Sequence, residues 1–395
     1  MLTLRRSITH TLSERLANYQ QEGLLRQLRT VDESIDFCSN DYLGFARSSE
    51  LKMAIQQADI NHTNGRTGAT GSRLLAGQTT LADEVEQELA RFYGTESALI
   101  FNSGYDANIG LLACLPKAGD TLLTDELIHA SMIDGARLSY ATRHRFLHND
   151  LADLEIKLKQ ASHQVGGQVF VAVESVYSMD GDMAPLRKLA DICDQYGAGL
   201  VVDEAHATGV YGSGQNGEGL VAELGLQERV LARIHTFGKA LGVHGAAIVG
   251  PAVLRSYLIN FARPFIYTTA LPPHSLLAIR CAHEQVKSTT AQQQLHERIT
   301  YFRQQVSNVL PGTNWTDSQS PIQCLIIPGN EQARYVATEA QRIGFDVRAI
   351  LSPTVPVGRE RLRLCVHAFN TTYEIDRLLT ILHVALSDIL TNEHD

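Results

Sequence analysis

Nowhere in its 395 residues does this chain hold an uninterrupted apolar run approaching the roughly 20 residues that cross a bilayer, so a membrane-spanning helix is not expected. Arg5 and Arg6 near the start are not followed by an apolar stretch, and no secretory signal is read there. Positive charge is in deficit: 34 Lys and Arg against 43 Asp and Glu leave −9, which argues against a nucleic-acid partner. A local arginine can still hold an anionic substrate. Six scattered cysteines (Cys38, Cys114, Cys193, Cys281, Cys324, Cys365) form no Cys-x-x-Cys, so free thiols in a reducing cytoplasm are expected. His283-Glu284 and His296-Glu297 each lack the second histidine of a zinc-protease helix, and no metal site is expected. There is no repeat and no low-complexity tract.

What is present reads as a large α/β domain with a smaller α+β domain behind it, a size that one small domain does not reach. Residues 3–29 carry Leu4, Ile8, Leu12, Leu16 and Leu24 at helical spacing, which predicts an amphipathic arm; with the short segment that follows it occupies 1–48. Over 49–288, apolar runs such as Ala98 to Phe101, Val169 to Val173 and Leu200 to Val202 alternate with helical patterns such as Pro185 to Tyr196. Continuous apolar runs mean strands covered on both faces, hence a mainly parallel sheet. Over 289–395 the pattern changes. A helix (Gln292 to Val309) leads to a strand (Cys324 to Ile327) and a helix (Glu331 to Ile343). Strands Val347 to Ile350 and Arg361 to Val366 and a last helix, Thr372 to Leu390, follow.

Gly212-Ser213-Gly214-Gln215-Asn216-Gly217 matches G-x-G-x-x-G, but a dinucleotide loop follows its strand at once, and here Glu204 to Tyr211 intervene. A glycine-rich surface loop is the better reading. Chemistry concentrates elsewhere. In Val201-Val202-Asp203-Glu204-Ala205-His206 an apolar strand ends in an acid with a histidine three residues on, and open α/β sheets bind ligands beyond the carboxyl ends of their strands. In Thr236-Phe237-Gly238-Lys239-Ala240-Leu241-Gly242 one lysine sits among small and apolar residues, where desolvation lowers its pKa and frees a nucleophilic amine. Asn102-Ser103-Gly104-Tyr105 follows a strand and precedes a helix read as Ile109 to Cys114, so backbone N–H groups there suit a phosphate.

With Ser39-Asn40-Asp41-Tyr42-Leu43-Gly44 at one end and Arg361-Leu362-Arg363-Leu364 at the other, these motifs resemble the α-oxoamine synthases, fold-type-I enzymes that use pyridoxal 5'-phosphate (PLP). The likeness covers nearly the whole chain. It implies that Lys239 holds PLP as a Schiff base and that Asp203 pairs with the pyridine nitrogen. It further implies that His206 bonds the ring hydroxyl, that His129 stacks on the ring, and that Gly104, Tyr105 and Thr236 hold the phosphate. By the same resemblance, Ser178 lies at the cofactor and Glu174 helps organise the site. Substrate contacts fall to Arg26, Asn40, His129, Thr354 and Arg363, the last holding the amino-acid carboxylate. The family implies a homodimer with active sites at the interface, where Thr268 or Thr269 reaches the neighbour's phosphate.

Within the family the likeness points to L-alanine and a pimeloyl thioester, carried by CoA or acyl carrier protein. A glycine- or serine-using relative is the alternative. Family chains that have lost the lysine are non-catalytic partners; this chain keeps Lys239 and its companions. One position departs from the pattern. Many such relatives carry an arginine two residues before the Pro353-Thr354-Val355-Pro356 run, where this chain has Leu351, with Arg348 nearby.

Overall fold

The computed structural model describes residues 7–28, 30, 33–62, 66–162 and 166–392. The chain divides into two compact units, Met1–Ser34 and Ile35–Asp395. In the first, a helix spans Ile8–Gln21, with the Ser7 hydroxyl accepting from His10 N–H at its start. It is shorter than the 3–29 arm read from sequence, because the chain turns at Gly23 with φ +67°. Leu4 lies outside the described residues. Ile8, Leu12 and Leu16 are exposed along the helix.

The second unit is built on a seven-stranded sheet. Its strands follow β1 (Ile35–Asp36) in the chain: β2 (Ser97–Phe101), β3 (Thr121–Asp125), β4 (Thr142–Phe146), β5 (Val169–Glu174), β6 (Gly199–Asp203), β7 (Ala232–Thr236) and β8 (Ala246–Gly250). The spatial order is β2-β8-β7-β6-β5-β3-β4, and only β8 runs against the others. The apolar runs have a simple cause. Leu123, Val171, Val173, Leu200 and Val202 enter one buried cluster, while Leu122, Phe170, Ala172 and Val201 enter another. Successive strand residues point to opposite faces, and helices cover both. Each of these valine, leucine and phenylalanine side chains contributes roughly 1.5–3 kcal/mol when fully buried.

A second sheet, of order β11-β12-β9, is antiparallel: β9 (Ile322–Ile326), β11 (Arg348–Ile350) and β12 (Arg361–Cys365). The short β10 (Phe345–Asp346) pairs in parallel with β1. Helices Asn330–Arg342 and Thr372–Asn392 flank this region. No helix among the described residues is long and apolar enough to cross a membrane.

One half-buried ionic clamp ties the ends of β3 and β4 to the loop after β5. His148 bonds Asp125 at 2.9 Å through Nδ1 and Asp182 at 2.7 Å through Nε2. Burial opposes the imidazolium, but the two carboxylates win and push the pKa up to about 10. A histidine whose folded pKa exceeds its unfolded value stabilises fully below the unfolded value, near 6.5, and loses that contribution as pH rises through the folded one. His148→Gln is therefore expected to cost about 1–3 kcal/mol at pH 7 and almost nothing above pH 10. Urea unfolding of both proteins across pH 7–11 checks this; a pH-independent difference would refute the charge argument.

Candidate active site

Several chemistry-bearing residues meet at the carboxyl ends of the parallel strands. Glu174 closes β5, Asp203 closes β6 and Thr236 closes β7, while His129 follows β3. Register sets Glu174 directly beside Asp203. The hairpin from β7 to β8 carries Lys239, and Gly242 N–H donates to Lys239 C=O at 2.9 Å to close its turn. Gly242 has φ +64°, and a Cβ there would lie 2.3 Å from the backbone nitrogen of Ala46, so only glycine fits.

Lys239 Nζ lies 2.8 Å from His206 Nε2. Burial lowers the lysine pKa to about 8 against the opposing pull of Asp203 and Glu174. His206 is buried too. Burial first, then the Lys239 charge, holds its pKa well below the ordinary value, so its ring is neutral. The ring's Nδ1 lies 2.7 Å from Tyr42 Oη, and Tyr42 donates at 3.0 Å to Asn40 Oδ1. One consistent set of donors results: Lys239 to His206, His206 to Tyr42, Tyr42 to Asn40.

Asp203 is 3 % exposed. Its donors are Ala205 N–H at 2.8 Å and Asn108 Nδ2 at 2.7 Å. Asn108 also donates at 3.0 Å to Ser131, whose hydroxyl sits 2.6 Å from His129 Nδ1. That nitrogen accepts from Ser131 N–H as well, so it carries no proton. The His129 pKa is lowered by burial, with Asp203 opposing and Lys239 assisting. Glu174 is raised to about 8 by burial and by Asp203. Ser178 N–H donates to one Glu174 oxygen at 3.2 Å, and the other buried oxygen has no partner.

The helix after β2 spans Gly104–Cys114, opening five residues earlier than the sequence pattern suggested. Ser103 caps it by accepting from Asp106 N–H, so the polar stretch 104–108 is its first turn rather than a loop. A Cβ on Gly104 would lie 3.2 Å from Thr236 Cβ and 3.3 Å from its hydroxyl. Tyr105 is exposed and donates to Asp134 at 2.8 Å. Thr268 and Thr269 sit against Asn102 of the same chain, whose amide donates to both at 3.0 Å.

From the second sheet, Arg363 reaches the same place. Its Nε donates to Ser178 C=O at 2.7 Å, its Nη2 to Asn40 Oδ1 at 3.2 Å, and its Nη1 meets Cys365 Sγ at 3.1 Å. Thr354 is exposed and lines a neighbouring groove. Arg26 is exposed and belongs to the first unit. Leu351 packs against the apolar core, and Arg348 pairs with Asp346 at 2.8 Å, so neither offers a free cation. Sequence reading missed Tyr42 as a partner of His206, and it missed Asn108 and Ser131. A buried asparagine inside an otherwise apolar helix was the available signal for Asn108.

These residues fit PLP. The space beside Gly104 and Thr236 at a helix N-terminus suits a phosphate, because a side chain would fill it. Asp203 is a buried carboxylate whose hydrogen-bond donors are both neutral, which suits a protonated ring nitrogen. The depressed amine of Lys239 suits an aldehyde carbon.

Comparison with known proteins follows the same line. The family model for aminotransferase class I and II matches residues 32–382. The chain is 42 % identical to the 8-amino-7-oxononanoate synthase of Emericella nidulans, over 95 % of this chain and 94 % of that one. It is 39 % identical to the enzyme of the same name from Cellvibrio japonicus, over 96 % and 95 %. Among solved structures, a serine palmitoyltransferase from S. paucimobilis with bound PLP superposes with a TM-score of 0.86 at 26 % identity, covering 98 % of this chain and 100 % of that one.

Proposed function

The chain belongs to the aminotransferase class I and II family, and from that premise we propose that it is a PLP-dependent acyltransferase of biotin biosynthesis. It condenses L-alanine with a pimeloyl thioester to give 8-amino-7-oxononanoate, CO2 and the free thiol. The observation that carries the chemistry is the Lys239 amine 2.8 Å from a neutral His206, with buried Asp203 closing the adjacent strand. The relatives' names carry the choice of substrates.

When bound, PLP supplies an electron sink for the carbanion at the amino acid's α-carbon. The residues do the rest. Arg363 holds the alanine carboxylate through a guanidinium already fixed by Ser178 and Asn40. Lys239 also takes the α-proton, which a pKa near 8 lets it do at neutral pH. The α-carbon then bonds to the thioester carbonyl, the C–S bond breaks and the thiol leaves. Loss of the carboxylate as CO2 and return of a proton to the α-carbon complete the product. Asp203 supplies the negative charge opposite the ring nitrogen. His129 would pack against the ring, and Gly104, Tyr105 and Thr236 would hold the phosphate.

The same reading assigns Ser178 and His206 to the cofactor, Arg26, Asn40 and Thr354 to the substrates, and a homodimer with interface active sites to the assembly, in the cytoplasm. It keeps the arm (1–48), a large domain (49–288) and a small one (289–395). Thiol release by the PLP-loaded protein, with alanine, glycine and serine crossed against pimeloyl-, acetyl- and palmitoyl-CoA, tests it. Turnover is expected with alanine and pimeloyl-CoA. A preference for glycine with acetyl-CoA, or serine with palmitoyl-CoA, would keep the machinery and overturn the reaction.

A further inference from the structure

A groove of about 590 Å³ is lined by Ile128 and Met179, the chain neighbours of His129 and Ser178, by Thr354, and by residues of the turn before β12. Leu127, Trp315 and Val355 give it apolar walls. Three cationic side chains line it, and two are already neutralised. Arg361 is paired with Asp180, and His148 is clamped by Asp125 and Asp182. The third, Arg359, is exposed, and its guanidinium has no partner among the described residues.

The backbone under Arg359 is nonetheless fixed. Its N–H donates to Pro356 C=O at 2.9 Å, and its C=O accepts from Arg361 Nε at 3.0 Å. The next residue, Glu360, is 2 % exposed, and its carboxylate accepts from Gly329 N–H at 3.0 Å and Gly358 N–H at 2.8 Å. A buried anchor therefore holds a cation that is unpaired among the described residues, on a groove that Thr354 and the chain neighbours of His129 and Ser178 also line. Glu126 and Asp317 also line the groove and repel an anion elsewhere along it. We propose that Arg359 reads the terminal carboxylate of the acyl chain and is a specificity-determining residue for dicarboxylic acyl thioesters. This rests on the condensation assigned above.

Pimeloyl-CoA and heptanoyl-CoA have the same chain length and carrier, and only the first ends in a carboxylate. Wild-type protein is expected to favour pimeloyl-CoA. Arg359→Gln should raise KM for pimeloyl-CoA by roughly tenfold to a hundredfold, the usual worth of a charged hydrogen bond, and change kcat little. Its constants for heptanoyl-CoA and its KM for alanine should stay within about twofold, and Arg359→Lys should recover much of the pimeloyl preference. Calorimetry of the PLP-loaded protein with free pimelate should show the same loss without turnover. Equal losses on both thioesters, or none on either, would overturn the role of Arg359 while leaving the condensation standing. Wild-type protein that ignores pimeloyl-CoA altogether would overturn the reaction and this role together.

Discussion

Replacing Lys239 with alanine is expected to remove the covalent hold on PLP and to lower turnover by roughly a thousandfold or more, because one amine serves as both cofactor anchor and base. The yellow colour of the lysine-bound cofactor should be lost. After borohydride reduction, mass spectrometry should find cofactor mass on the Lys239 peptide of the wild type and none on the variant. The fold should survive. A lysine whose folded pKa of about 8 lies below its ordinary value costs stability wherever it is charged inside the protein. Its stabilising share is present above the unfolded pKa, near 10.4, and is lost as pH falls through 8. With both proteins freed of PLP, the alanine variant is thus expected to match or exceed wild-type stability at pH 7, with the difference shrinking as pH rises to 10. A variant that keeps both the colour and the borohydride adduct would sink the lysine assignment.

Asp203→Asn is expected to cost a hundredfold to a thousandfold in turnover, roughly the effect of losing one aimed electrostatic partner, while leaving the cofactor attached at Lys239. Asparagine is close in shape, and the surroundings can accept it. Ala205 N–H still finds an oxygen. The new amide would face the Asn108 amide, but Asn108 Oδ1 has no partner at present, so rotating that side chain turns two facing donors into a donor and an acceptor, at the loss of the Asn108 bond to Ser131. What is lost is charge alone, in a place where burial makes charge count. Steady-state rates and absorbance spectra of the variant separate the two effects. Wild-type rates would show that no ring nitrogen depends on Asp203.

Much of this architecture was legible in the residues, for a physical reason. A strand covered on both faces has no polar alternation to blur it, so Val169 to Val173 and Leu200 to Val202 announce themselves. Asp203 and His206 were legible because they interrupt such a run at its end. The contacts that hold the site were not, because their partners come from far along the chain: Tyr42 and His206 are 164 residues apart, and Asn108 and Asp203 are 95 apart. The helix beginning at Gly104 was misjudged because its first turn is polar, although Ser103 three residues before Asp106 is an ordinary cap. The arm was drawn too long because apolar spacing continues past Gly23, where the backbone has already turned.

The antiparallel strand β8 also fixes when the site can exist. It lies between β2 and β7, so Gly104, on the helix that follows β2, and Thr236, the last residue of β7, come from the two strands' sides of it. On a ribosome, β2 emerges near the start of the sheet and waits some 150 residues for β8, whose Ser97↔Gly250 pairing closes the gap. Until then β2 and β7 each present an open hydrogen-bonding edge, the kind of surface that recruits stray strands. A nascent chain stopped before Ala246 holds Asp203, His206 and Lys239 but lacks the strand that sets Gly104 beside Thr236. On the proposed phosphate site, the cofactor finds its full set of partners only after nearly two thirds of the protein has been made.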